Sequence, residues 1–146
     1  MLQRRSAGLT RHVFLPLAGG AFVYLLFRRQ PPALVTWLLA IDTAEVVTYT
    51  RSFLQPVARR LPQWCLMSLP GGLWSYALLS AIEYVWEGTA SACRPWWVLV
   101  GLTFSLLPEL GQATGTLPGT FSAVDLATNA AGAVLALVVH ERETGV

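Results

Sequence analysis

The chain has 146 residues, of which 54% are hydrophobic and only 12% charged, and its mean hydropathy is +0.52. A soluble domain typically carries about 25% charged residues, so the composition argues against an ordinary soluble domain, and the apolar content argues against a disordered chain. The formal net charge of +2 provides no strongly basic face for nucleic acid. We therefore expect a single domain, residues 1–146, whose solvent is the lipid bilayer.

Five apolar stretches follow one another along the chain, at residues 13–27, 32–50, 64–86, 95–112 and 122–139. About 20 apolar residues cross the hydrocarbon layer of a membrane, and the stretch at 64–86 is the clearest span. The first stretch resembles a signal peptide, but the absence of a clear A-x-A cleavage motif favours an uncleaved span. The pattern predicts an all-α fold, a polytopic transmembrane helical bundle with four to five spans.

The second stretch decides between four and five spans, because Asp42 and Glu45 interrupt it. These two acids are three residues apart and so share one face of a helix. They either line a polar cavity, as secondary candidates for a binding site, or belong to an interfacial stretch in which they reach water or pair with Arg51. If this stretch does not cross the membrane, every later element takes the opposite orientation.

The residues that flank the stretches predict how the bundle sits in the membrane. If all five stretches cross, six arginines lie on the side of the N-terminus and four on the other side. The positive-inside rule then puts the N-terminus in the cytoplasm and the C-terminus outside. Arginine without lysine is typical of a GC-rich bacterial genome. The membrane in which we expect the protein is the bacterial cytoplasmic (inner) membrane. Tryptophans at the ends of the third and fourth stretches are expected at the headgroup level: Trp64, Trp86, Trp96 and Trp97.

The cysteines and histidines predict neither a disulfide nor a metal site. If one helix connects Cys65 and Cys93, they are separated by roughly 42 Å, far beyond the reach of a disulfide. Two cysteines together with His12 and His140, near the two chain ends, supply too few convergent ligands for a metal. We expect unpaired thiols, no metal and no cofactor.

Six of the eight acidic residues lie in or beside the apolar stretches. An ionised Asp at the centre of a membrane helix costs roughly 2.5–3.5 kcal/mol on insertion scales, so such groups usually face the interior of the bundle or a wet cavity. Glu83 and Glu87 are four residues apart near the helix end at Trp86, and there we expect both carboxylates to be solvated.

The last forty residues contain the most informative pattern. Glu109 and Gln112 share a helix face near the end of the fourth stretch, and Asp125 and Asn129 share a face near the start of the fifth. The short loop at 111–121 makes these two helices antiparallel neighbours. We therefore predict that the four side chains form one polar cluster at the same membrane depth, near one interface, and that they line a binding site.

Simpler interpretations of these residues are also open. Ser122 and Asp125 have the spacing of a capping box, and an acid in the first turn of a helix suits the helix dipole. Asn129 has the alternative of an interhelical hydrogen bond, and Gly132 that of close packing between helices.

The order and spacing of these residues resemble a known family. Glu109-x-x-Gln112, a glycine-bearing loop and then Asp125-x-x-x-Asn129-x-x-Gly132 look like the VanZ-like family of small bacterial membrane proteins, named for a protein accessory to teicoplanin resistance. The resemblance covers about residues 106–137 and extends faintly to 69–82. The family loop commonly carries Gly-Arg where this chain has Gly119-Thr120, so an anion-binding arginine is not carried over. The resemblance implies a multi-span membrane protein and supplies no established reaction.

Two hypotheses of function from different classes follow. In the first, the protein is not an enzyme and binds a membrane lipid, a lipid-linked envelope precursor or a membrane-protein partner, including a second copy of itself, and so changes envelope properties or glycopeptide sensitivity. In the second, it is an intramembrane enzyme acting on a lipid headgroup, with Glu109 and Asp125 as acid and base. No nucleophile with an adjacent base is visible in the sequence, which favours the first. A small proton-coupled carrier is a third possibility.

Overall fold

The computed structural model describes residues 2–27, 44–89 and 91–144, and within these ranges the secondary structure is helical, without a β-strand. The prediction of an all-α fold is therefore confirmed. Asp42 lies outside the described residues. Glu45 belongs to a described helix, but its side chain also lies outside the description.

Seven α-helices are described. The N-terminal helix α1 continues through a π-helical turn, Thr10–Phe14, into α2. In chain order the bounds are α1 Leu2–Leu9, α2 Leu15–Phe27, α3 Ala44–Ala58, α4 Gln63–Met67, α5 Leu69–Trp86, α6 Arg94–Ala113 and α7 Ala123–Thr144.

Two of the predicted boundaries differ from those observed. The stretch at 64–86 is divided at Ser68 into α4 and α5, and Pro70 lies in the first turn of α5. Proline is well suited to a first turn because its missing N–H would have no partner there. Residues 51–63, expected as a connection, are largely helical, since α3 continues to Ala58.

Helix α5 lies at the centre of the bundle and packs against α2, α6 and α7. Its closest approach is to α7, where glycines face each other. A Cβ atom added to Gly132 would collide with the carbonyl oxygen of Gly72, and one added to Gly72 would lie 2.8 Å from the carbonyl oxygen of Thr128. The interpretation of Gly132 as a site of close helix packing is thus confirmed.

The distribution of polar and apolar side chains is the reverse of that in a soluble domain. Of the described residues, eight polar or charged ones are buried, against six hydrophobic ones. Large apolar side chains lie on the outside, among them Phe14, Phe22, Trp96 and Phe104, each more than half exposed. Soluble proteins bury charged and hydroxyl groups far less often than Leu, Ile or Phe.

Two described helices, Ser6–Phe27 and Ala123–Glu143, are long and apolar enough to cross a membrane, judged by length and composition. His12 Nε2 lies 3.2 Å from Glu143 Oε1, and this contact brings the start of the first helix close to the end of the second. At the opposite end of α2, Arg51 Nε donates a hydrogen bond of 2.8 Å to the carbonyl oxygen of Leu25. Arg51 therefore lies at the end of the bundle where α2 finishes.

Candidate functional site

Helices α6 and α7 form the predicted antiparallel hairpin, and two polar contacts fix its register. The backbone N–H of Ser122 donates to Glu109 Oε2 at 3.1 Å. About two turns further along α7, Asn129 Nδ2 donates to the carbonyl oxygen of Ser105 at 3.2 Å. Glu109 and Asn129 therefore both lie on the surfaces where the two helices meet.

The connection between the helices folds back onto α6. Thr116 donates from its hydroxyl to the carbonyl oxygen of Gly111 at 3.0 Å. Gly119 has a φ of 135°, a value that L side chains rarely adopt, and a Cβ added there would lie 2.6 Å from Gln112 Nε2. Gln112 is thus held against the loop at Gly119, at the edge of the predicted cluster.

The start of α7 is capped in an incomplete way that changes the interpretation of Asp125. Ser122 Oγ accepts the backbone N–H of Asp125 at 3.2 Å, which is one half of a capping box. In a complete box the acid would accept the N–H of Ser122 in return. Here Glu109 accepts that N–H, so the carboxylate of Asp125 is not used in capping.

Three buried polar atoms at this hairpin have no hydrogen-bond partner in the described part of the chain: Ser105 Oγ, Asp125 Oδ1 and Asn129 Oδ1. A buried polar atom left unpaired costs about 1–3 kcal/mol, and such atoms mark places where a water molecule, an ion or a ligand binds. We call Ser105, Glu109, Gln112, Asp125 and Asn129 the hairpin site.

The hairpin site has an excess of negative charge. It contains the carboxylates of Glu109, which is 8% exposed, and Asp125. Within the described ranges, no arginine or histidine side chain forms an ion pair with either carboxylate. Asn129 Oδ1 faces Gly71 of α5, since a Cβ added to Gly71 would lie 2.5 Å from it. The site thus contains acceptors from α6 and α7, and one of them, Asn129 Oδ1, lies against Gly71 of α5.

A second polar group, which the sequence analysis missed, lies at the opposite end of α5. Glu83 Oε2 accepts a hydrogen bond from Arg94 Nε at 2.9 Å and lies 2.8 Å from Arg94 Nη2 and 3.6 Å from His140 Nε2. The prediction that Glu83 is solvated is wrong, because its side chain is 1% exposed. Its other oxygen, Oε1, is buried without a partner among the described residues. Glu87 is exposed, as predicted.

This second group continues to the N-terminal helix. His12 Nε2 lies 3.2 Å from Glu143 Oε1, and the hydroxyl of Tyr84 donates to Glu143 Oε2 at 3.3 Å. His12 Nδ1 also forms a hydrogen bond with the hydroxyl of Tyr76, and the ring of Tyr84 meets His140 edge-on. We call this connected group of seven side chains the histidine cluster: His12, Tyr76, Glu83, Tyr84, Arg94, His140 and Glu143.

The histidine cluster was missed because its members are far apart in sequence and each looks unremarkable alone. Successive helices of the bundle alternate in direction, so folding brings together the N-terminal part of the first span, the C-terminal half of α5 and the C-terminal part of α7. Tyr76 lies nearer the middle of α5. One feature of the sequence does indicate the cluster, because a histidine or an acid occurs at each of these helix ends, as in His12, Glu83 and His140.

The two polar groups are separate. Gly71 and Glu83 are twelve residues apart on α5, which is about 18 Å along a helix axis. An apolar core of Leu79, Ala133 and Ala136, all at most 1% exposed, lies between them. The bundle therefore has a polar group toward each end, with a small apolar core between Gly71 and Glu83.

Metal and disulfide chemistry receive no support from the described residues. They contain no group of three or more His, Cys, Asp or Glu side chains that could hold a metal ion. Cys65 and Cys93 are both free, so the prediction of unpaired thiols is confirmed.

No protein-family model, curated protein or solved structure matches the chain. The resemblance to the VanZ-like family therefore stays a hypothesis.

Proposed function

We propose that this protein is a VanZ-like integral membrane protein of the bacterial cytoplasmic membrane. In this proposal the hairpin site binds the polar headgroup of a lipid or lipid-linked envelope component, and the protein thereby affects envelope properties or glycopeptide sensitivity. The observation that carries the proposal is the set of three buried, unpartnered polar atoms between α6 and α7: Ser105 Oγ, Asp125 Oδ1 and Asn129 Oδ1.

Membrane insertion is supported by the reversed burial of polar and apolar side chains. In lipid, apolar side chains face outward at no cost, and polar ones must find partners inside the bundle. Phe104 is 68% exposed on α6, whereas Ser105 and Glu109 of the same helix are 7% and 8% exposed. A soluble bundle of this size would have the opposite arrangement.

We propose four spans, formed by α2 with its preceding π-helical turn, α5, α6 and α7. Helices α5 and α6 have 18 and 20 residues, or about 27 and 30 Å, which matches a hydrocarbon layer of about 30 Å. The contact of Arg51 Nε with the carbonyl oxygen of Leu25 puts α3 beside the end of α2, which supports a count of four spans. The contact of His12 with Glu143 supports termini on one side of the membrane.

Headgroup binding fits the depth and composition of the hairpin site. The site lies where α6 ends and α7 begins, next to the exposed loop at 114–121. A ligand with an apolar tail would keep the tail in lipid against the exposed outer faces of α6 and α7, while its polar group pairs with the buried acceptors.

The test is the lipid that the protein retains when it is taken from native membranes into nanodiscs and measured by native mass spectrometry. We expect wild-type protein to retain a bound lipid, and Asn129→Leu to lose it with unchanged membrane insertion. Glu87→Gln is the matched control, because Glu87 is exposed and distant from the hairpin site. Equal retention by wild type and Asn129→Leu would contradict the proposal. Release of a cleaved headgroup product would instead favour the enzymatic alternative.

The link to the cell envelope is tested separately by teicoplanin sensitivity. We expect cells that express wild-type protein to differ in sensitivity from cells that express Asn129→Leu at the same membrane level, and the Glu87→Gln variant to match wild type. Identical sensitivity of all three strains would reject the effect on the envelope. It would not bear on lipid binding, which native mass spectrometry tests separately.

A further inference from the structure

We infer that the headgroup bound at the hairpin site carries a primary ammonium group. This inference rests on the proposed function and specifies its ligand class. The argument uses the charge of the site, the type of its unpartnered atoms and the orientation of Asn129.

The charge of the site favours a cation. Glu109 and Asp125 lie in one hairpin, and no basic side chain in the described part of the chain pairs with either. The contrast within the molecule is informative, because buried Glu83 has Arg94 and His140 as partners. An ionised carboxylate that is removed from water needs a compensating charge or hydrogen-bond donors. A phosphate group would add negative charge and no donors.

The unpartnered atoms accept hydrogen bonds. Asp125 Oδ1 is a carboxylate oxygen and Asn129 Oδ1 an amide oxygen, and neither can donate. The third atom, Ser105 Oγ, belongs to a side chain that is 7% exposed and can accept as well as donate. A primary ammonium group offers three N–H donors and no acceptor, which is the type of partner that these acceptors lack.

The orientation of Asn129 is fixed, so its acceptor cannot be exchanged for a donor. Its Nδ2 donates to the carbonyl oxygen of Ser105, which turns Oδ1 toward Gly71. Glu109 contributes to the same result, because it takes the N–H of Ser122 that would otherwise occupy Asp125. The local hydrogen bonds thus use the donors of the site and leave its acceptors unpaired.

The experiment compares three phospholipids with identical acyl chains in nanodiscs that hold the full chain: an ethanolamine, a choline and a glycerol headgroup. Ethanolamine and choline carry the same positive charge, but only ethanolamine has N–H donors. We expect ethanolamine lipid to be retained about tenfold more strongly than choline lipid, the ratio that corresponds to the loss of one hydrogen bond to a charged group. The glycerol lipid, which is anionic overall, is expected to bind least.

Asp125→Asn tests the same inference from the side of the protein, with Glu87→Gln as the matched control. We expect Asp125→Asn to reduce the preference for ethanolamine over choline and Glu87→Gln to leave it unchanged. Free ethanolamine is then added to choline nanodiscs. If the ammonium group alone is sufficient for binding, it should raise the melting temperature of wild type and not that of Asp125→Asn. If only the ethanolamine lipid raises the melting temperature of wild type, the bound ammonium group belongs to a lipid.

The outcomes separate the two proposals. Equal retention of the ethanolamine and choline lipids, or a preference for the glycerol lipid, would overturn the ammonium inference while headgroup binding stands. Retention that Asn129→Leu does not reduce for any of the three lipids would overturn the proposed function as well.

Discussion

Glu83 of α5 and Arg94 of α6 form a salt bridge across the turn that joins the two helices, with Oε2 accepting a hydrogen bond from Nε and lying 2.8 Å from Nη2. The carboxylate is buried, whereas the arginine side chain is 41% exposed. In this pair the acid, Glu83, therefore lies inside the bundle, and the base, Arg94, lies at its surface.

This asymmetry predicts unequal effects when either partner is removed. Arg94→Ala leaves the charge of Glu83 buried without its main partner, and we expect a loss of roughly 3–5 kcal/mol of stability. Glu83→Gln removes the charge and leaves an exposed arginine, so the loss should be smaller, and the double variant should be more stable than Arg94→Ala alone. Unfolding by denaturant in detergent micelles measures all three, with Glu87→Gln as the control. Equal losses for both single variants would contradict this account.

The sequence was sufficient to predict the helices whose apolar stretches are bounded by proline or glycine residues. The fourth and fifth stretches match α6 and α7, because Pro95 and the Gly-rich loop mark their ends, and the hairpin follows from the shortness of the loop. The side-chain partners of Glu83 were not predictable from local spacing. His140 is 57 positions away in the chain, and only the packing of α5 against α7 makes the two residues neighbours.

Topology is the next prediction, and it depends on the contact of His12 with Glu143. In the four-span arrangement five arginines lie on each side (4, 5, 11, 94 and 142 against 28, 29, 51, 59 and 60), so the six-to-four bias of the five-span arrangement disappears. We expect cysteines introduced at Ser6 and Glu141 to be labelled from one side of the membrane, and those at Ser52 and Thr120 from the other, in a cysteine-free background. Labelling of Ser6→Cys and Glu141→Cys from opposite sides would reject the arrangement.

The glycine contact between α5 and α7 predicts a steric effect. Gly132→Ala forces the two helices apart at the carbonyl of Gly72, and overpacking of this kind costs about 1–3 kcal/mol. Gly19→Ala is the matched control, since its Cβ would meet only Leu73 at 3.8 Å. Alanine has a higher helix propensity than glycine by about 1 kcal/mol, so Gly19→Ala should be neutral or stabilising. Thermal unfolding of the two variants in the same nanodiscs measures the difference, and equal melting temperatures would contradict the close packing.

The incomplete capping box at the start of α7 predicts different effects for substitutions at Ser122 and Asp125. The first should lower stability, and the second should lower lipid binding. Ser122 Oγ caps the helix, so Ser122→Ala should lower stability by about 1 kcal/mol. The carboxylate of Asp125 makes no capping bond, because Glu109 accepts the N–H of Ser122. Asp125→Asn should therefore leave the unfolding free energy nearly unchanged and reduce the retention of lipid. Both quantities are measured on the same preparations, by unfolding and by native mass spectrometry. If Asp125→Asn instead lowers stability as much as Ser122→Ala and retains the lipid, Asp125 is a capping residue and has no place in the hairpin site.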